Sequence, residues 1–161
     1  MTGFGIRTAE EFAADDFQSL WLARRAARER PEFRRVLRLF VERGGPVPVD
    51  EISPALVALD DEDLIRIRGG SIDVAYPFTA SPTPFVVRLP DGQDRFACCA
   101  VDALGIAPMT GLSIEIRSRC HHCAEPLELG ATPEGARPEP SGVMLWIGQR
   151  ADDRCKIADS L

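Results

Sequence analysis

The hydrophobic period of this chain changes once, near Leu64, and no other feature limits its fold as much. Upstream, Phe33, Val36, Leu37, Phe40 and Val41 recur at spacings of three and four, which places them on one helical face. Pro31 suits the first turn of that helix and Gly44-Gly45 its end. Thr8-Ala-Glu-Glu11 is a capping-box pattern that opens an earlier helix reaching about Arg28, with Phe12, Phe17, Leu20 and Trp21 as its apolar positions. Pro46-Val-Pro-Val49 reads as extended, Asp50 as the cap of a short helix near Glu51, and Ala55 to Leu59 as a further short helix. Downstream the period is two. Leu64 to Arg68 alternates, Gly69-Gly70 turns, and Ser71 to Ala75 returns, which makes a hairpin. Helices followed by a hairpin are the order of a winged-helix-like lobe over residues 1–75.

Tyr76 to Pro84 carries three prolines and reads as a linker over residues 76–84. Phe85 to Leu89 is expected as a strand and Pro90 to Asp94 as a turn. Phe96 to Ile106 is apolar and is expected as a short helix containing Cys98, Cys99 and Asp102, with Gly105 and Pro108 near its end. Leu112 to Ser118 alternates, Cys120-His-His-Cys123 is a turn, and Leu127 to Leu129 and Val143 to Ile147 read as strands around a Pro/Gly-rich loop. Trp21 and Trp146 fit core positions. The expected class is α+β: the N-terminal lobe, then residues 85–161 as a small mixed β-sheet lobe carrying a short Cys-containing helix.

Composition narrows the function classes. Hydrophobic residues are 45% and charged residues 27% of the 161, the balance of a folded globular chain. No apolar run approaches the roughly 20 residues that cross a bilayer, and MTGFGIRTAEEF has no apolar h-region, so the expected location is cytoplasmic, away from membranes. Net charge is −6, with Arg supplying all but one of the cationic side chains. Eight Arg against three Glu lie between Arg24 and Arg43. A basic helix can meet nucleic acid, but in an acidic chain a solvated face is the preferred reading and DNA is not an expected partner. Asp60-Asp-Glu-Asp63 reads as a solvated loop or helix end, without the spaced ligands of a calcium loop. No pattern in the chain encodes an oligomeric state.

The chemistry concentrates in five cysteines at 98, 99, 120, 123 and 155. An odd count without an export signal argues for reduced thiols, able to act as metal ligands or nucleophiles, over a disulfide scaffold. In Cys99-Ala-Val-Asp102 a thiol and a carboxyl at i and i+3 share a helical face. There a thiolate can hold a soft metal while the carboxyl moves a proton. Spacing alone leaves a second reading open: a buried Cys packing as a small hydrophobe beside an exposed Asp. Cys120-His-His-Cys123 is half of a tetrahedral zinc site. The rest would have to come from Cys98, Cys99, Cys155 or His121, and no second C-x-x-C exists. A plain turn, a structural zinc and an exposed dithiol able to pass a metal on all stay open for it.

The stretch Ala75-Tyr-Pro-Phe-Thr-Ala-Ser-Pro-Thr-Pro84, followed by Phe96-Ala-Cys-Cys-Ala-Val-Asp-Ala-Leu-Gly105, resembles the alkylmercury lyase family over residues 31–147, most clearly over 75–120. The family signature is a Cys-Ala-x-Asp segment with a Gly and then a Cys at set distances, and Cys99, Asp102, Gly111 and Cys120 stand in that register. The resemblance implies a winged-helix-like lobe joined to a β-stranded lobe, and a protein that cleaves carbon–mercury bonds by protonolysis. It implies Cys99 as the first thiolate on mercury, Asp102 as proton donor, and Cys120 as a core residue, while Cys123 has no counterpart. It also implies a second thiolate from a later cysteine. The candidate is Cys155, in Arg-Ala-Asp-Asp-Arg-Cys-Lys-Ile, which lacks the aromatic surroundings of the family position and lies closer to the preceding strand. Cys98 is the substitute. The implied partners are an organomercurial or other soft-metal ligand and a thiol acceptor for the released metal, with no required cofactor. The alternative is a catalytically degenerate, thiol-based soft-metal-binding module or sensor.

Overall fold

The computed structural model describes residues 26–27, 29–50, 53–137 and 143–145. The expected helix over 8–28, apart from Ala26 and Ala27, lies outside the described residues, as do Trp21, Trp146 and Cys155. The elements in order are α1 (Pro31–Arg43), β1 (Val47–Pro48), α2 (Pro54–Asp61), β2 (Ile65–Arg68), β3 (Ser71–Ala75), β4 (Phe78–Thr79), β5 (Val86–Arg88), β6 (Asp94–Ala97), α3 (Ala100–Thr110), β7 (Ile114–Arg119), β8 (Pro126–Thr132) and β9 (Gly135–Arg137). The class is α+β.

Phe33, Val36 and Phe40 are the buried stripe of α1, as their spacing predicts. They pack on Leu59 of α2 and on Ile65, Ile72 and Phe78 of the sheet. The Phe40 and Phe78 rings stack with centroids 6.3 Å apart. Ser53 caps α2, its Oγ accepting the Leu56 amide at 3.3 Å, with Pro54 in the first turn. Asp60, in the last turn of that helix, has a role of its own: its Oδ1 accepts the Ile67 amide at 3.1 Å. Ala103, Ile106 and Ala107 of α3 complete the core against Val87, Ile114, Ile116 and Ala131.

The strands form one sheet in the order β1-β3-β4-β6-β5-β7-β8-β9, with β2 paired to β3. Every pairing among the described residues is antiparallel, so the expected mixed sheet is corrected. The helical connection α3 does join two strands that run the same way. However, β5 lies between β6 and β7 and pairs with both, so the parallel pair never touches. The Pro-rich stretch 76–84 also differs from a bare linker. Phe78-Thr79 within it is a buried strand that pairs with β3 and β6, and the sheet runs through it without a break.

The apolar run at 96–106 divides differently from the expected helix. Phe96 and Ala97 belong to β6, because Phe96 pairs with Val86 and Ala97 with Phe78. The helix starts at Ala100 and continues past Gly105 and Pro108 to Thr110. It stops at Gly111, whose φ of +73° is the left-handed conformation that glycine adopts without a Cβ clash. Gly111 is the glycine of the signature, and its task is to end the helix that Cys99 begins. The strand β9 falls in the loop expected to be irregular, and residues 143–145 are exposed and carry no strand. The rest of the expected Val143–Ile147 strand lies outside the described residues. Among the described residues no helix is long and apolar enough to cross a membrane.

Candidate active site

Strand β6 delivers the chain to the site. Thr83 holds this delivery in place: its Oγ1 donates to the Ala97 carbonyl at 2.7 Å and accepts the Phe85 amide at 3.2 Å. The Ala97 amide in turn bonds the Phe85 carbonyl at 3.0 Å. Cys98 follows, buried beside Val74 and Tyr76, with its amide on the Pro77 carbonyl at 3.0 Å. The next residue, Cys99, is the N-cap of α3 in extended conformation.

Cys99 is therefore not inside a helix, as the sequence pattern suggested, but at its mouth. An N-cap side chain satisfies an amide that has no intrahelical partner. Here the sulfur does so, accepting the Asp102 amide at 3.4 Å. Asp102 is the third helical residue, and its side chain reaches back as in a capping box. It accepts from the thiol, with Sγ 2.9 Å from Oδ2. The i, i+3 spacing brings thiol and carboxyl together by this reciprocal cap.

Burial, then the negative charge of Asp102 and its hydrogen bond, push the Cys99 thiol up to about 12. The amides of Asp102 and Val101 favour the thiolate but are outweighed. At neutral pH the proton thus rests on sulfur, with a carboxylate oxygen as its nearest acceptor. A soft cation that binds the sulfur must displace this proton, and Asp102 stands where it can receive it.

Cys120 and Cys123 lie elsewhere, on the turn between β7 and β8. The Cys120 amide bonds the Glu125 carbonyl and the Ala124 amide bonds the Cys120 carbonyl, each at 2.8 Å. The amides of Cys123 and His122, then the Cys123 side chain, hold the Cys120 thiol below its ordinary value, and the Cys123 thiol donates to Glu125 Oε2 at 4.0 Å. Cys120 is half-buried and Cys123 exposed. Cys120 is absent from the buried core, although the family resemblance implies a core residue there. Among the described residues no three His, Cys, Asp or Glu side chains gather around a point that could hold a metal ion.

Sequence reasoning missed Arg95. Its buried guanidinium donates to the carbonyls of Phe40 at 2.8 Å and Val41 at 2.6 and 3.0 Å, the C-terminal end of α1. This fastens the helical part to the strand that leads to Cys99. Alternation was the available signal, since Arg95 faces inward like Ala97 while its neighbours do not. The basic stretch is partly neutralised: Arg30 pairs with Glu62 at 2.8 Å and Arg34 with Glu29 at 2.6 Å. A groove of about 520 Å³ lies over Val86, Phe96, Arg117 and Leu127, and neither Cys99 nor Asp102 lines it.

Comparison with known proteins fits these residues. A family model described as alkylmercury lyase matches residues 78–161, a span holding Cys99, Asp102, Gly111 and Cys120. The alkylmercury lyase of Bacillus cereus is 30% identical over 101 residues, covering 62% of this chain and 44% of that protein. That of Staphylococcus epidermidis is 30% identical over 124 residues, 71% of this chain and 56% of its own length. That of Streptomyces lividans is 28% identical over 132 residues, 76% and 60% respectively. A crystal structure of the mercury-bound form of MerB2 aligns with a TM-score of 0.44 at 21% identity, covering 74% of this chain and 55% of that one. The chain spans about half the length of the curated relatives it matches. With just over half of its residues matched by the family model, and the Cys99–Asp102 cap and the Gly111 helix stop inside that match, the chain belongs to the alkylmercury lyase family.

Proposed function

We propose that this protein cleaves carbon–mercury bonds by protonolysis, with Cys99 as first thiolate and Asp102 as proton donor. The observation that carries this reading is the Cys99 thiol hydrogen-bonded to the Asp102 carboxylate at 2.9 Å. The substrate R–Hg⁺ binds the Cys99 sulfur; an S–Hg bond forms and the thiol proton passes to Asp102. A second thiolate then adds to mercury, and its electron density weakens the Hg–C bond. Asp102 protonates the carbon as that bond breaks, R–H leaves, and Hg²⁺ stays on two sulfurs until a thiol acceptor removes it. No cofactor is needed, because the proton comes from the first thiol and mercury stays divalent throughout.

Cys155 is the candidate for the second thiolate, supported by its place within the residues matched to the family. Cys98 is a poorer one, since it packs against Val74 and Tyr76. The same reading makes residues 1–75 a winged-helix-like lobe, residues 76–84 the connection and residues 85–161 the catalytic lobe of a cytoplasmic enzyme. Incubation with phenylmercury and measurement of benzene tests it. Asp102→Ala should keep mercury binding and lose at least about a hundredfold in benzene release, the low end of what a positioned acid contributes. If the wild type binds mercury and releases no benzene, the protein is a soft-metal-binding module. Equal release by both would remove Asp102 from the mechanism.

A further inference from the structure

We propose that Cys120 and Cys123 form a second thiol site, separate from Cys99 and Asp102, which chelates a two-coordinate soft cation such as Hg²⁺ on the turn between β7 and β8. Protonolysis at Cys99 does not call on these residues, and the site would bind the ion whether or not the chain cleaves carbon–mercury bonds.

The turn is built for two sulfurs. The pairing of Arg119 with Pro126 closes the hairpin, and the reciprocal bonds of Cys120 with Ala124 and Glu125 fix the chain between them. Ala124 adopts a φ of +59°, which folds the backbone back over Cys120. The closed turn holds Cys120 and Cys123 three residues apart on one short loop, with Cys123 Sγ 4.0 Å from Glu125 Oε2, and the amides of Cys123 and His122 favour the Cys120 thiolate. N–H groups that favour a thiolate also favour a metal-bound one, and the partner thiol stands on the same hydrogen-bonded turn.

The donor set selects the ion. The Glu125 carboxylate approaches Cys123 only to 4.0 Å, and among the described residues no three Cys, His, Asp or Glu side chains gather into a metal-holding group, so a tetrahedral zinc or an oxygen-seeking cation would lack ligands. A soft cation content with two sulfurs would not. Uptake forms two S–Hg bonds and releases the protons the thiols carry to water; nothing is oxidised and mercury stays divalent.

The sheet also sets this site beside the first. Val86 pairs with Phe96 on one side and with Arg117 on the other. Strands β6 and β7 run the same way with β5 between them, and Cys99 and Cys120 each follow the end of one of them. Both thiol sites thus open at one end of the sheet.

The test uses the full reduced chain, HgCl2 as the probe, excess glutathione as competitor, and alkylation read at each cysteine by mass spectrometry. HgCl2 should protect Cys120 and Cys123 together, in the wild type and equally in Cys99→Ser. Cys123→Ser changes an exposed side chain and puts no core packing at risk. In that variant Cys120 should lose its protection at about a hundredfold less glutathione, the lower range of what tethering two binding groups supplies. Equal protection of Cys120 in Cys123→Ser and wild type, or alkylation of Cys123 unaffected by HgCl2, would overturn the proposal.

Discussion

Replacing Asp102 by Asn should make Cys99 more reactive while disabling it as half of a proton relay. The substitution keeps the size of the side chain and removes its charge. In the native protein the thiol is pushed up to about 12 by burial first and by the Asp102 carboxylate second. Asn leaves the burial in place and removes the charged acceptor, whose hydrogen bond is worth roughly 1.5–3 kcal/mol. At pH 8 this corresponds to roughly 10- to 100-fold more thiolate. A less basic thiolate is a weaker nucleophile, with a Brønsted coefficient of about 0.4–0.5, so the net gain in rate shrinks to roughly three- to tenfold. The assay is the reaction of a small disulfide probe with Cys99, followed by mass spectrometry between pH 7 and 9. An unchanged or slower rate in Asp102→Asn would refute the reasoning, because it would mean that Asp102 does not hold the Cys99 proton. Cys123, exposed on a separate turn, should react at the same rate in both proteins and serves as the internal reference.

Two further outcomes concern stability. Arg95→Ala removes the donors to the Phe40 and Val41 carbonyls at the end of α1 and should cost about 2–4 kcal/mol in urea unfolding, from lost charge-assisted bonds and buried acceptors left without them. Arg88, with help from Arg117, holds the Asp94 carboxyl below its ordinary value of 3.8. A depressed carboxyl stabilises the fold above the unfolded-state value and loses that contribution as pH falls through the folded one. The unfolding free energies of wild type and Asp94→Asn in urea should therefore differ by a modest amount at pH 6, about 1 kcal/mol or less for so exposed a pair, and draw together as pH falls below 3.8 toward the lower folded value.

The sequence by itself determined the local choices. The 3.6 period of Phe33, Val36 and Phe40 marked their buried helical face. The alternation on either side of Gly69-Gly70 gave the hairpin of β2 and β3, and the register of Cys99, Asp102, Gly111 and Cys120 gave the family. These are near-neighbour facts, governed by backbone period and by side chains within one or two turns. Only the tertiary structure decided where the apolar run at 96–106 divides. Phe96 and Ala97 are drawn into a strand by Val86 and Phe78, partners ten and nineteen residues away that no local period announces. That same pairing moves Cys99 from the interior of a helix to its N-cap, where the sulfur meets both the amide and the carboxyl of Asp102. The antiparallel sheet is decided the same way, since β5 enters between β6 and β7, the two strands that α3 joins. The seating of Arg95 on the end of α1, 54 and 55 residues back in the chain, is of the same kind. A period reports which face of an element is apolar. Which other element covers that face, and so which thiol meets which carboxyl, is a long-range contact that exists only once the chain has closed on itself.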